Sequence, residues 1–141
     1  MNTVSFFSEN IEFSIAYPQK TIRWIQQTVL AESHELSFLN FIFCDDAYLL
    51  SINEQYLQHD DFTDVITFSY SEQPCLVEGD IFISIDRIKE NASAFQTSFN
   101  DELHRVMIHG VLHLLGYNDK SKSEQQIMRK KENSYLSLYD Q

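Results

Sequence analysis

Two histidines and an aspartate in the last third of the chain have the residue types and spacing of a metal site. His109 and His113 are four residues apart, so on a helix their rings lie on one face, about 40° apart around the axis. Gly116 suits the left-handed conformation that ends a helix, and Asp119 follows three residues later. Two imidazoles and one carboxylate leave a coordination position for water, as in catalytic zinc sites. The pattern predicts that these three side chains bind a divalent metal and form the catalytic centre.

Metallopeptidases with a similar helix have a catalytic glutamate directly after the first histidine, and this chain has a glycine there. In the H-E-x-x-H helix, a glutamate directly after the first histidine is the general base, whereas this chain has Gly110. A peptidase is therefore disfavoured, and the proton must pass to a carboxylate elsewhere or to a substrate phosphate oxygen. We also expect Gly110 to leave room beside the metal. His104 lies about 140° around the helix from His109, which predicts a position at the surface or the core edge.

The charge of the chain is strongly acidic but unevenly distributed. The 141 residues carry a formal net charge of -11, which argues against a protein that binds any nucleic acid backbone indiscriminately. Directly after the metal motif, however, bases cluster in a short window. This basic window comprises Lys120, Lys122, Arg129, Lys130 and Lys131. Its members are either RNA-phosphate contacts or the solvated face of a helix.

The cysteines and the hydrophobic pattern indicate the cellular compartment in which we expect the protein. Cys44 and Cys75 are 31 positions apart, too far for a thiolate zinc knuckle, and we expect both to be reduced. No apolar run approaches the roughly 20 residues of a membrane span. The first residues include Glu9 and no positive charge before the apolar stretch, unlike a signal peptide. We therefore expect a cytoplasmic protein that does not contact membranes.

Hydrophobic periodicity predicts an α+β fold in which residues 1–141 form a single domain with one mixed four-stranded sheet and about five helices. The metal site lies on a long helix and the turn after it. Asp45 or Asp46 is expected to cap the second helix, and Asn100 or Asp101 the long one. The predicted strands are residues 11–16, 36–44, 64–70 and 79–86; the predicted helices begin at Pro18 and near residue 46 and cover residues 86–95, about 101–115 and 123–138.

Three segments resemble the YbeY family, bacterial metal-dependent endoribonucleases of ribosomal RNA maturation. They are FTDVITFSY (62–70), EGDIFIS (78–84) and HGVLHLLGYNDKSKSEQQIMRKKE (109–132). The resemblance implies a single zinc-type ion and cleavage of single-stranded RNA in ribosomal RNA maturation and ribosome quality control. It also implies two partners, ribosomal RNA and the small ribosomal subunit or its precursor. A non-catalytic ribosome-assembly factor, in which the metal stabilises a docking surface, is the alternative.

The chain departs from the family pattern at two positions. Asp119 stands where the family usually has a histidine; a carboxylate still binds zinc, but nickel, iron or manganese become alternatives. Leu57 stands where the family commonly has an arginine, so that function is lost or supplied elsewhere, for example by the basic window. Asp64 either supports the site or caps the turn before a strand. Met128 and Glu132 are expected to dock the last helix under the site.

Overall fold

The computed structural model describes residues 2–57 and 63–140, with only the backbone of Leu57. These residues contain four strands and five α-helices, and a single π-turn, Asn53–Leu57, follows the second helix. The predicted α+β class is confirmed. The elements are β1 (Thr3–Ser8), α1 (Pro18–Ala31), β2 (Glu35–Cys44), α2 (Asp46–Ile52), β3 (Val65–Ser69), β4 (Leu76–Ser84), α3 (Ile85–Ala94), α4 (Phe99–Leu114) and α5 (Lys122–Tyr139).

The sheet is mixed and has the strand order β1-β2-β4-β3. β1, β2 and β4 pair in parallel, while the edge strand β3 runs antiparallel to β4. The parallel strands are rich in aromatic and β-branched residues, as expected for strands covered by helices. Leu39 and Phe41 of β2 and Ile81 of β4 are fully buried in the main core, where the strand period of two puts them on the helix-covered face.

Helix α4 lies directly on this face of the sheet. Its residues Met107, Ile108 and Leu112 are fully buried, and a Cβ atom added to Gly110 would lie 3.0 Å from Ile81 Cγ2. The side of α4 that carries Gly110 is thus in contact with β4. The expectation that Gly110 leaves room beside the metal is wrong, because the glycine allows the helix to approach the sheet.

Two local predictions are wrong. Residues 11–16 form no strand; the first strand lies upstream, where β1 pairs with β2 from Thr3↔Phe38 to Ser8↔Phe43. Phe13 and Ile15 nevertheless pack on the core, so the alternation reflected burial without strand pairing. The cap of α4 is Ser98, whose hydroxyl accepts a hydrogen bond from Asp101 N. Asp101 instead lies in the first turn, where a carboxylate favours the helix dipole.

The predicted cap of α2 is confirmed. Asp45 caps α2 by accepting a hydrogen bond from Tyr48 N at 2.9 Å. Cys44 is buried, Cys75 is exposed, and both are free thiols. Among the described residues, no helix is long and apolar enough to cross a membrane.

Candidate metal centre

His109 and His113 project from one face of α4, and Asp119 reaches them from the loop before α5. The two Nε2 atoms are 3.0 Å apart, and Asp119 Oδ2 lies 3.3 Å from each of them. In the part of the chain that the structure describes, these three residues form the group with metal-binding geometry, since their ligand atoms all lie within 4.8 Å of one another. The structure thus brings together the three residues that the spacing selected.

The dimensions of this triangle fit a divalent ion. Ligand atoms of a tetrahedral zinc site with bonds of about 2.0–2.1 Å lie about 3.3 Å from one another, which matches the observed 3.0–3.3 Å. Both imidazoles also have a hydrogen-bond acceptor at Nδ1, so a proton on each Nδ1 leaves both Nε2 lone pairs facing inward. Two lone pairs at this distance repel each other unless a cation lies between them. The donor set therefore suits a metal ion.

The chain turn that returns Asp119 to the helix is a Schellman motif. Gly116 has φ +105°, Tyr117 N donates to Leu112 O, and Gly116 N donates to His113 O, each at 3.0 Å. Helix α5 then begins at a capping box formed by Ser121 and Glu124. The two helix ends hold the short connecting loop from both sides, which places Asp119 above the imidazoles.

Glu132 orients His109 from α5. Its Oε2 accepts a hydrogen bond from His109 Nδ1 at 2.7 Å, and the glutamate is only 2% exposed. Its Oε1 lies 3.4 Å from Arg105 Nη1. Arg105 donates in turn from Nε to Glu102 Oε1 at 3.0 Å, and Glu102 is also 2% exposed. Two buried carboxylates therefore share one guanidinium directly behind the imidazole.

His113 is oriented by the loop instead. Its Nδ1 donates to the backbone carbonyl of Tyr117 at 3.0 Å. The hydroxyl of Tyr117 donates to Glu32 Oε1 at 2.6 Å. Glu32 also accepts from Lys131 Nζ at 3.1 Å and from the hydroxyl of Tyr135. Burial alone would raise the pKa of Glu32, but these three hydrogen bonds outweigh it and hold that pKa below its ordinary value.

The remaining residues selected from the sequence lie around the centre or at the edge of the core. Met128 and Glu132 are buried and dock α5 under the site, as predicted. His104 contacts the rings of Trp24 and Tyr139 at the core edge, also as predicted. Burial raises the pKa of Asp64, and electrostatic interactions with His109 and Arg105 partly offset this effect. Asp64 therefore lies within electrostatic range of the centre.

Members of the basic window differ in their contacts. Lys131 is paired with Glu32, and Arg129 Nε lies 3.8 Å from Glu132 Oε1. Lys120, Lys122 and Lys130 are exposed, and their side chains form no ion pair with the residues that the structure describes. The side chain of Leu57, at the position of the family arginine, lies outside the described residues.

Sequence reasoning missed Arg105, Tyr117 and Glu32. Tyr117 lies inside the metal motif, but its role depends on its backbone carbonyl, which residue type does not reveal. Arg105 lies one turn before His109 on α4, a position that could have indicated a partner for Glu132. Glu32 is 85 residues from Tyr117 along the chain, and no local pattern links them.

The chain matches a known family over nearly its full length. A family model described as Endoribonuclease YbeY matches residues 4–140. Proteins named Endoribonuclease YbeY include one from Amoebophilus asiaticus, 50% identical over 94% of this chain and 90% of the relative. Another, from Flavobacterium psychrophilum, is 49% identical over 94% of each chain. The solution structure of TM1509 from Thermotoga maritima superposes with a TM-score of 0.66 at 26% identity and covers 96% of this chain and 88% of that one. The chain therefore belongs to the YbeY family.

Proposed function

We propose that this chain is a metal-dependent endoribonuclease that cleaves single-stranded RNA in ribosomal RNA maturation and ribosome quality control. The observation that carries the proposal is the triangle of His109, His113 and Asp119, with ligand atoms 3.0–3.3 Å apart, in a member of a family named for endoribonuclease activity. Gly110 in place of a catalytic glutamate separates this site from the metallopeptidase helix. The proposed setting is the cytoplasm, with ribosomal RNA and the small ribosomal subunit or its precursor as partners.

The residues of the centre have distinct tasks in phosphodiester hydrolysis. His109, His113 and Asp119 hold the ion, and zinc is the proposed occupant, with nickel, iron or manganese as alternatives. Bound zinc would lower the pKa of its water toward 7 and withdraw charge from a phosphoryl oxygen. The carboxylate of Asp119 reduces the net positive charge of the site, and Glu132 and the Tyr117 carbonyl keep both imidazoles oriented for metal binding.

The basic window supplies the proposed contacts to the RNA backbone. Lys120 directly follows Asp119 and Lys122 begins α5 two residues later, so these lysines are the proposed contacts for a phosphate near the ion. Lys130 is exposed and has no ion pair with the described residues, which leaves its charge available. Arg129 and Lys131 lie in the same window, but their charges are partly neutralised by Glu132 and Glu32. The window offsets the acidic charge of the rest of the chain locally.

The catalytic proposal is tested with His113→Ala. We expect metal-dependent cleavage of a single-stranded RNA to be lost, while circular dichroism and urea denaturation show a folded protein. His34→Ala, which removes a histidine outside the cluster, is the control and should cleave normally. Unchanged cleavage by His113→Ala would refute the assignment. A non-catalytic assembly role is not favoured, since the family is named for endoribonuclease activity; it would require small-subunit binding without any RNA cleavage.

The ligand set is tested by elemental analysis of gently purified protein beside Asp119→Ala. We expect about one zinc per wild-type chain and much less metal in the variant. Asp101→Ala removes an exposed carboxylate at the start of α4 and should retain the wild-type metal content. Equal metal content in all three proteins would remove Asp119 from the ligand set.

A further inference from the structure

We propose that Glu132 is a positioning residue that fixes the proton of His109 on Nδ1 and so keeps Nε2 available to the metal. The inference rests on the proposed metal site but not on RNA cleavage. The distance of 2.7 Å between Glu132 Oε2 and His109 Nδ1 is that of a hydrogen bond. Because the guanidinium of Arg105 donates to the other oxygen of Glu132, the carboxylate is the acceptor in this pair and the imidazole nitrogen is the donor.

Arg105 determines which oxygen of the Glu132 carboxylate faces His109. Arg105 Nη1 lies 3.4 Å from Glu132 Oε1, and the arginine is held in place by two hydrogen bonds to Glu102. A guanidinium is always a donor, because it stays protonated in proteins. The group at the Oε1 position of residue 132 must therefore be an acceptor, and the Oε2 position is left for His109. Arg105 therefore orients Glu132, and Glu132 orients the imidazole. Glu102 needs only to offer Arg105 an oxygen acceptor, which glutamine at position 102 also provides.

The two imidazoles consequently differ as ligands. His109 donates to a carboxylate, whereas His113 donates to the neutral carbonyl of Tyr117. A charged acceptor at Nδ1 increases the electron density at Nε2 more than a neutral one does, which strengthens the metal bond. His109 is thus the stronger electron donor of the two ligands, and the carboxylate that makes it so belongs to α5.

Glutamine at position 132 is an informative substitution. Glutamine has the shape of glutamate but presents an oxygen on one side and an NH2 group on the other. Arg105 requires the oxygen, so in Glu132→Gln the NH2 group faces His109 Nδ1. Two donors cannot share a hydrogen bond, and the proton of His109 then moves to Nε2. That tautomer has no lone pair directed at the metal.

The experiment compares Glu132→Gln with Glu102→Gln in full-length apo-protein. Both variants remove one buried carboxylate from Arg105, but only the first touches an imidazole. Zinc affinity is measured by competition with a chromophoric chelator, and the His109 tautomer by long-range 1H–15N NMR. We expect Glu132→Gln to bind zinc about 10–100-fold more weakly and to carry the His109 proton on Nε2. Glu102→Gln should keep near-wild-type affinity and the Nδ1 proton.

The outcomes separate this inference from a structural role and from the proposed function. Equal loss of zinc affinity in both variants would overturn the inference, because it would reflect damage to the buried network. Unchanged affinity and tautomer in Glu132→Gln would also overturn it. If Glu132→Gln does not fold, the test is the tautomer of His109 in the wild-type protein. A proton on Nε2 of His109 would then refute the proposal. An inactive wild-type protein with the expected zinc and NMR results would refute the nuclease and leave the inference intact.

Discussion

Two glutamates, one buried and one half-buried, support the candidate metal centre from different elements, and they do so by different means. Glu132 contacts an imidazole directly and is balanced by the guanidinium of Arg105. Glu32, just after α1, contacts the hydroxyl of Tyr117, whose backbone carbonyl accepts from the other imidazole. Glu32 is balanced by two phenol hydroxyls and by Lys131.

The difference follows from where the metal-binding residues lie. His109 is on α4, where helix hydrogen bonds already fix the backbone, so that only the ring needs an orienting acceptor. Asp119 is on a loop, where the backbone itself must be held. Glu32 anchors that loop through Tyr117 and thereby positions both Asp119 and the carbonyl used by His113. A metal-binding side chain on a helix needs only one orienting contact. A metal-binding side chain on a loop also needs its backbone segment to be held in place.

The largest loss of stability is expected from removal of the positive charge of Arg105, which balances Glu132. Arg105→Met leaves Glu102 and Glu132, each 2% exposed, without their shared cation. Removing one partner of a buried ion pair costs about 3–5 kcal/mol because the remaining charge is uncompensated. We expect the free energy of unfolding, measured by urea denaturation at pH 7.5, to fall by that amount. A loss below about 1 kcal/mol would mean that the two carboxylates are solvated or otherwise paired.

The metal-binding residues and most of the fold were predictable from the sequence. The ligand triad was predictable because it spans eleven residues, from His109 to Asp119, and its geometry follows from the helical period and a glycine turn. The α+β class and most helix and strand positions followed from periodicity for the same reason. Local patterns of this kind determine both residue type and relative position.

The supports of the triad were only partly predictable. Glu132 was expected to dock α5, but its hydrogen bond to His109 requires the packing of α4 on α5. Glu32 and Tyr117 meet only because α1 ends beside the metal loop, and no propensity encodes that distance. The error at residues 11–16 has a similar origin, since alternating hydrophobicity reports burial and cannot report whether a neighbouring strand is free to pair.

An intermediate loss of stability is expected from removal of the hydrogen bond between Tyr117 and Glu32, which anchors the loop. Tyr117→Phe removes the hydrogen bond to Glu32 and leaves the backbone carbonyl that His113 uses. A hydrogen bond to a charged group contributes about 1.5–3 kcal/mol, and the lower end applies because Tyr135 and Lys131 still contact Glu32. We expect a loss of about 1.5 kcal/mol in unfolding free energy and zinc binding weakened less than in Glu132→Gln.

Tyr70→Phe is the matched control for this prediction. The hydroxyl of Tyr70 also donates to a carboxylate, Asp80 Oδ2 at 2.7 Å, but on an exposed part of the sheet. Its removal should leave zinc affinity unchanged. If Tyr117→Phe and Tyr70→Phe alter zinc binding equally, Glu32 does not act on the centre through the loop.

The charge of Glu32 should also make stability depend on pH. The folded-state pKa of Glu32 is held below its ordinary value of 4.5, so its ionised form favours folding. This contribution is fully present above the unfolded-state pKa and is lost as the pH falls through the folded-state pKa. We expect the difference in unfolding free energy between wild type and Glu32→Gln to be constant from pH 8 to 6 and to shrink below about pH 4.5. A difference that grows on acidification would contradict the lowered pKa.

The smallest loss of stability is expected from removal of the charge of Lys131, the cation that pairs with Glu32. The side chain of Lys131 is 38% exposed, and Glu32 keeps two hydroxyl donors without it. Lys131→Met should therefore cost only about 0.2–1 kcal/mol, and less at high salt, since exposed ion pairs are weak and screened. Lys130→Met, one residue away and without a charged partner among the described residues, should not alter stability at all. A loss from Lys131→Met that equals the loss from Arg105→Met would remove the distinction between the two glutamates, because both would then depend on a single desolvated cation.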